Sequence, residues 1–335
     1  MKTTTLGIDL AKSVFHLWGE DDRGRCVERK KLRREELLAD MGRRSRCVVA
    51  MEACAGAHYW ARRFQAQGHT VRLMAPRYVK GFVRGQKNDY NDAQAICEAG
   101  SRVGMREVAV KSEGQQALQA LHRYRRRLMR ERTALVNQAR GLLLEFGVVI
   151  ARGVSAVRVA LPRVGEQGEL EAPMRELCAA LYEELCEVEQ RLAYAEQRLA
   201  QAHRESETSC QLAELEGIGL LSATALVAKL GDAQAYRNGR AFAAALGLVP
   251  RQHSTGGKPL LLGISKQGDR YLRTLLIHGA RAALRTAGHK TDRRSRWVTA
   301  LAARRGFNRA CVALANKNAR IAWAMVAHAE PYRRA

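Results

Sequence analysis

Apolar and polar positions alternate with a period of two at the start of the chain. Residues 3–9 (TTTLGID) and 13–19 (SVFHLWG) read as two β-strands with a tight turn at Leu10–Lys12. The charged run Glu20-Asp21-Asp22-Arg23-Gly24 is a hairpin turn into a third strand near 25–30. Residues 33–42 follow a helical pattern. Cys47-Val48-Val49-Ala50-Met51 is then apolar without a break, as in a strand covered on both faces. A helix over about 57–67, a strand over 70–74 ended by Pro76, and a helix opening near Asp89 complete the section. The order β-β-β-α-β-α-β-α predicts an RNase H-like α/β domain with a mixed sheet over residues 1–112.

From 113 to 146 the period lengthens. Leu118, Leu121, Leu128, Leu135 and Leu142 form a heptad seam, with Arg125 and Arg132 at intervening seam positions and Arg123, Arg126, Arg127 and Arg130 around them. A Gly- and Pro-bearing linker is expected at about 151–168. Residues 169–206 give a second long helix, in which Leu170, Met174, Leu177, Leu181, Leu185, Val188, Leu192, Ala195, Leu199 and Ala202 hold a three-four spacing. Glu183, Glu184, Glu187 and Glu189 flank that seam. The pattern of 113–210 is that of a coiled coil, whose partner is either the arginine-rich helix of the same chain or a second copy. Residues 211–330 read as a mostly helical domain. It opens on Gly217-Ile218-Gly219, either a helix-hairpin-helix turn offering backbone N–H groups to a phosphate or a tight turn with packing glycines. Helices at about 268–287, 293–305 and 308–328 close it.

Charge narrows the partner. The chain has 335 residues, with 57 lysines and arginines against 33 acids and a net charge of +24. Arginine matches phosphate with a bidentate fork, so nucleic acid is the expected partner. Candidate contacts are Arg125, Arg126, Arg130, Gly217, Gly219, Lys258, Lys266, Arg270 and Arg273. A basic membrane-surface protein would want aromatic anchors, and aromatics make up only 6%. No apolar run reaches the length of a membrane span, and the N-terminus enters a strand almost at once, so neither a membrane segment nor a secretory signal is expected. Eight cysteines without a CxxC pair read as small buried residues in a reducing compartment, giving a cytoplasmic expectation.

In so basic a chain the acids in Lys87-Asn88-Asp89-Tyr90-Asn91-Asp92 stand out. Asp89 and Asp92 are three apart at a helix start and share a face. At about 4 Å two like charges repel by roughly 4 kcal/mol at an effective dielectric near 20. The helix N-terminus and Lys87 offset part of that, and a divalent ion offsets more. The alternative is capping by Asn88 or Asp89, with Asp92 solvated. Asp9 closes the first strand and Glu52 follows the buried run, so two further acids emerge at one edge of the sheet. Each alone reads as a turn residue. Together the four offer hard oxygen donors for two Mg²⁺ ions of the kind that activate an attacking oxygen and stabilise a leaving one. A second polar stretch, Gly247 to Asp269, is a Gly-rich hairpin or loop whose Ser254 has basic neighbours. Ser254 is either a turn serine or a hydroxyl that a phosphate approaches.

The blocks GIDLAKSVFHLWG, MEACAGAHYWAR, RYVKGFVRGQKNDYNDAQAICEA, LEGIGLLSATALVAKLGD and GLVPRQHSTGGKPLLLGISKQGDRYLRTLLIHGARA resemble the DEDD-type transposases of the insertion-sequence one-hundred-and-ten family, nearest the subgroup eleven-eleven. The likeness spans roughly residues 3–330 with its blocks in order. It implies a RuvC-type domain, a coiled coil and a C-terminal transposase domain with a nucleophilic serine. It also implies double-stranded DNA of element and target as substrates, a structured bridge RNA as partner, and a homo-oligomer. By motif, the metal-binding acids would be Asp9, Glu52, Asp89 and Asp92. Ser254, with Thr255 adjacent, would be the serine. Serine attack stores the phosphodiester bond as an ester that a second strand can attack, which hydrolysis does not. Two other readings stay open: a hydrolytic nuclease of the Holliday-junction resolvase type, and a basic binding scaffold whose acids are structural.

Overall fold

A computed structural model describes residues 3–86, 88–166 and 170–332. Lys87 and residues 167–169 of the expected linker and second long helix lie outside the described residues. The chain divides into two compact units, one ending at Glu113 and the other beginning at Gly114.

The first unit is built on a sheet of β1 (Thr5–Asp9), β2 (Val14–Glu20), β3 (Cys26–Arg33), β4 (Val48–Glu52) and β5 (Thr70–Met74), in the order β3-β2-β1-β4-β5. β2 pairs antiparallel with β1 and β3, whereas β4 runs parallel to β1 and β5, so the sheet is mixed as expected. The helices are α1 (Arg34–Gly42), α2 (Ala57–Ala66), the one-turn α3 (Pro76–Val79) and α4 (Asp89–Ser101). Residue size sorts the two faces. Leu6, Ile8, Phe15, Leu17, Val49 and Met51 pack with Leu37, Met41, Trp60 and Phe64 of α1 and α2. On the other face Ala50 and Met74 meet Val79, Ala95, Ile96 and Ala99 of α3 and α4. That small-residue face lets α4 lie directly on the sheet. A Cβ on Gly7 would stand against the carbonyl of Ala93 and 2.5 Å from the Cys97 nitrogen, so only glycine fits where α4 crosses β1.

In the second unit α5 runs Glu113–Leu144, α6 Val154–Glu166 and α7 Ala172–Arg204. Most of the expected linker is therefore helix. Val157 and Leu161, four apart, are buried in a cluster with Leu135 and Leu143 of α5 and Leu181 and Leu185 of α7. This packing holds α6 helical despite Pro162 inside it. Ion pairs tie α7 to both neighbours: Arg125 of α5 meets Glu196 at 2.6 Å, and Arg158 of α6 meets Glu189 at 3.4 Å. The rest is α8 (Glu207–Ala213), α9 (Leu220–Leu230), α10 (Gly239–Ala245), β6 (Pro250–Gln252), β7 (Leu261–Ile264), α11 (Arg270–Ala287), α12 (Arg293–Arg305) and α13 (Phe307–His328). Its core includes Leu226, Phe242, Leu276 and Leu314. His122 of α5 pins the helices: its Nε2 lies 3.0 Å from Thr224 Oγ1 on α9, and its Nδ1 lies 3.0 Å from the Tyr271 hydroxyl on α11.

Among the described residues no helix is long and apolar enough to cross a membrane. The cysteines are free, but they are not uniformly buried as expected. Cys47, Cys97, Cys178 and Cys311 are, whereas Cys26, Cys54 and Cys210 are exposed. Cys26 opens the edge strand β3, and Cys54 sits in the loop between β4 and α2.

Candidate metal centre and serine hairpin

Strand register brings the first two acids together. β1 and β4 are parallel neighbours with Ile8 opposite Met51, so Asp9 and Glu52 close adjacent strands at the same end. α4 brings the other two. Asn88 is its N-cap, accepting the Tyr90 N–H at 2.9 Å, which leaves the Asp89 and Asp92 carboxylates unspent on capping. Asp9 and Glu52 both feel neighbouring carboxylates. Burial, then the Asp92 and Asp89 carboxylates, push Asp9 above its ordinary range. Burial, then Asp9 and Asp92, push Glu52 up as well. Repulsion among partly desolvated carboxylates is what a cation relieves.

The tightest part of the cluster contains a residue that the sequence pattern did not single out. Asp9, His16 and Asp89 each offer a ligand atom within 4.8 Å of the other two. His16 lies directly across the β1–β2 hairpin from Asp9, with its Nδ1 3.6 Å from Asp89 Oδ2. No local signal marked it: a turn at residues 10–12 would set residue 13 opposite residue 9, whereas the observed register sets residue 16 there. The donor set fits a hard divalent cation, with carboxylates converging beside a buried His16 Nδ1 that has no hydrogen-bond partner.

Ser254 stands on the loop between β6 and β7, a hairpin whose tip turns through Gly256 and Gly257 at positive φ. The serine is exposed, and its Oγ accepts the Gln252 side-chain amide at 2.9 Å. An amide donor orients a hydroxyl but cannot take its proton.

The candidate phosphate contacts divide. Arg126, Arg130, Lys258, Lys266 and Arg270 are exposed. Arg125 is engaged with Glu196. Gly219 is the open N-cap of α9, but Gly217 packs its backbone against Gly279 of α11, the close-packing alternative for that turn. Arg273 needs correction. It is buried, and its Nη1 donates to the carbonyls of Leu246 at 2.8 Å and Gln267 at 3.0 Å. That guanidinium clamps the two ends of the serine hairpin and does not face a phosphate. Apolar spacing on α11 places position 273 inside, a constraint that a count of arginines ignores.

A carboxylate cluster suited to a divalent cation, on a chain of net charge +24, belongs with enzymes that act on nucleic acid. Comparison with known proteins defines the class. Residues 6–147 match a transposase model for the DEDD type of the IS110 group, and residues 210–296 match the model described as "Transposase IS116/IS110/IS902 family". The chain is 52% identical, over 99% of both proteins, to a "Probable family 20 transposase" of Pseudomonas aeruginosa. It is 44% identical to the transposase for insertion sequence element IS1111A of Coxiella burnetii, covering 98% of this chain and 91% of the other. It is 41% identical to the transposase for IS1328 of Yersinia enterocolitica over 96% of both. The protein is an enzyme of DNA transposition. It belongs to the IS116/IS110/IS902 family of insertion-sequence transposases.

Proposed function

We propose that the first unit is a RuvC-type, RNase H-like nuclease fold in which Asp9, Glu52, Asp89 and Asp92 hold two Mg²⁺ ions, and that Ser254 is the nucleophile of strand exchange. The convergence of Asp9, His16 and Asp89 on one spot, with Glu52 closing the strand beside Asp9, carries this reading. When bound, the ions supply Lewis-acid charge for the phosphodiester. The carboxylates hold and orient them, and Gln252 steadies the hydroxyl. In the reaction the Ser254 Oγ–phosphorus bond forms and the bond from phosphorus to the 3′ oxygen breaks. The serine proton leaves to solvent and the 3′ oxygen gains one. The 5′ phosphate is then stored as a serine ester. Attack by the 3′ hydroxyl of another strand reverses each change, so bonds broken and made are of one kind.

The substrates on this reading are the double-stranded DNA of element and target, with a structured bridge RNA bound to the basic surfaces and a homo-oligomer as the working form. The family resemblance and the positive charge support it. Ser254→Ala should abolish protein–DNA adducts that survive denaturation while leaving DNA binding intact. Adducts that persist would assign the nucleophile elsewhere. Cleavage by the wild type to free 5′ phosphates without any adduct would make the enzyme a hydrolytic nuclease. Sequencing the RNA that co-purifies tests the guide, for which a single structured species of defined length is expected.

A further inference from the structure

We propose that His16 is a nitrogen ligand of the ion held at Asp9 and Asp89, so that one metal position has a mixed imidazole–carboxylate set and prefers Mn²⁺ to Mg²⁺. This rests on the reading of the acids as a metal centre and adds a residue outside the four carboxylates.

His16 is 9% exposed, and its Nδ1 is buried without a hydrogen-bond partner. Leaving a buried polar atom unpaired costs about 1–3 kcal/mol, so the position implies a missing partner. Asp89 Oδ2 is the acceptor facing it, at 3.6 Å. That separation is too long for a charge-assisted hydrogen bond, which closes to about 2.7–2.9 Å. It is the right size for two donors sharing one ion. Ligands at about 2.1–2.2 Å from a metal lie about 3.0 Å apart when cis and about 4.3 Å apart when trans. Three donors on one ion include at most one trans pair, so closing the 4.8 Å limit of the Asp9–His16–Asp89 set to cis spacing needs a contraction of up to about 1.8 Å. Asp89, with its side chain 64% exposed, is free to supply it.

The imidazole is held ready. Its ring meets Tyr90 of α4 edge to face, with centroids 4.9 Å apart and planes at 78°. Arg29 covers Tyr90 at 4.6 Å. Tyr90 follows Asp89 directly, so one turn of α4 sets both ring and carboxylate. A neutral imidazole nitrogen favours first-row transition ions, whereas Mg²⁺ prefers oxygen and sheds water reluctantly.

The test uses the full-length protein with Mn²⁺ as probe. Electron spin-echo envelope modulation of the Mn²⁺-loaded wild type should show ¹⁴N coupling of a directly bound imidazole. Asp9→Asn should lose bound Mn²⁺ and the coupling together, which ties the signal to this site. His16→Gln should lose the coupling and bind Mn²⁺ at least tenfold more weakly, with Mg²⁺ affinity changed less than threefold. The wild-type spectrum alone decides the matter if His16→Gln fails to fold. Mn²⁺ bound in the wild type and lost in Asp9→Asn, but without ¹⁴N coupling, overturns the ligand role of His16 and leaves the acid centre intact. Mn²⁺ binding indifferent to Asp9→Asn overturns the acid centre itself and this proposal with it.

Discussion

Gly7→Ala is the smallest change that tests how the acids are assembled. Gly7 does not adopt a left-handed conformation, so alanine there gains about 0.5–1 kcal/mol on backbone entropy alone. Packing sets the opposite sign. The new Cβ would stand 2.5 Å from the Cys97 nitrogen and 2.7 Å from its Cβ, where ordinary van der Waals separation begins at 3.4 Å. The shortfall is 3.4 − 2.5, or about 0.9 Å, and part of it is against α4 backbone that no side-chain rotation relieves. Overpacking of this kind costs about 1–3 kcal/mol, and backbone opposition puts it at the upper end. The net loss should be about 2 kcal/mol, lowering the melting temperature of the first unit by about 10 °C. Pushing α4 outward by that distance also carries Asp89 and Asp92 away from Asp9 and Glu52. Mn²⁺ affinity by calorimetry should fall at least tenfold although no ligand is removed, since misplacement of about 1 Å is expensive at a preorganised site. A variant that melts at or above the wild-type temperature with unchanged metal affinity would refute the seating of α4 on β1.

Other outcomes follow from the same packing and charge. Burial, and then Arg125, lower the His122 pKa from 6.5 to about 4. Between these values the unfolded chain binds the proton and the folded one does not, so stability is present above pH 6.5 and lost as pH falls toward 4. At pH 5 the loss is about 2 kcal/mol. Denaturant unfolding at pH 7.5 and 5 should show that extra loss in the wild type but not in His122→Gln; equal slopes would count against it. Asp9 has a raised pKa, so in the folded protein its ionised form is disfavoured and stability falls as pH rises above 3.8. In chelator at pH 7.5 Asp9→Asn should therefore melt above the wild type, and added Mg²⁺ or Mn²⁺ should stabilise the wild type alone. Arg126→Ala with Arg130→Ala should flatten the salt dependence of DNA binding by about one unit of log–log slope for each phosphate no longer neutralised. Arg273→Met should instead leave that slope unchanged and cost about 1–3 kcal/mol in stability, since two carbonyls are deprived of their donor.

What was legible in the sequence is what short-range pattern encodes. The alternation in 3–19 and the unbroken run at 47–51 yield the strands and their neighbourhood, and the three-residue spacing of Asp89 and Asp92 puts them on one helical face. The seams of α5 and α7 come from heptads in the same way. Tertiary structure decided the rest, because it turns on which surfaces meet. Val157 and Leu161 make a helix of a segment that composition marks as a linker, since α5 and α7 cover them. Arg273 is an exposed cation by chemistry and a hairpin clamp by position. The glutamates flanking the α7 seam meet Arg125 of α5 and Arg158 of α6, the second of which lies in the segment read as a linker. His16 reads along the strand as one polar residue between Phe15 and Leu17, and only cross-strand register with α4 laid over it aims that ring at Asp89. Periodicity specifies the face on which a side chain stands; which atoms oppose it depends on close packing between elements distant in sequence, and a local pattern does not carry that information.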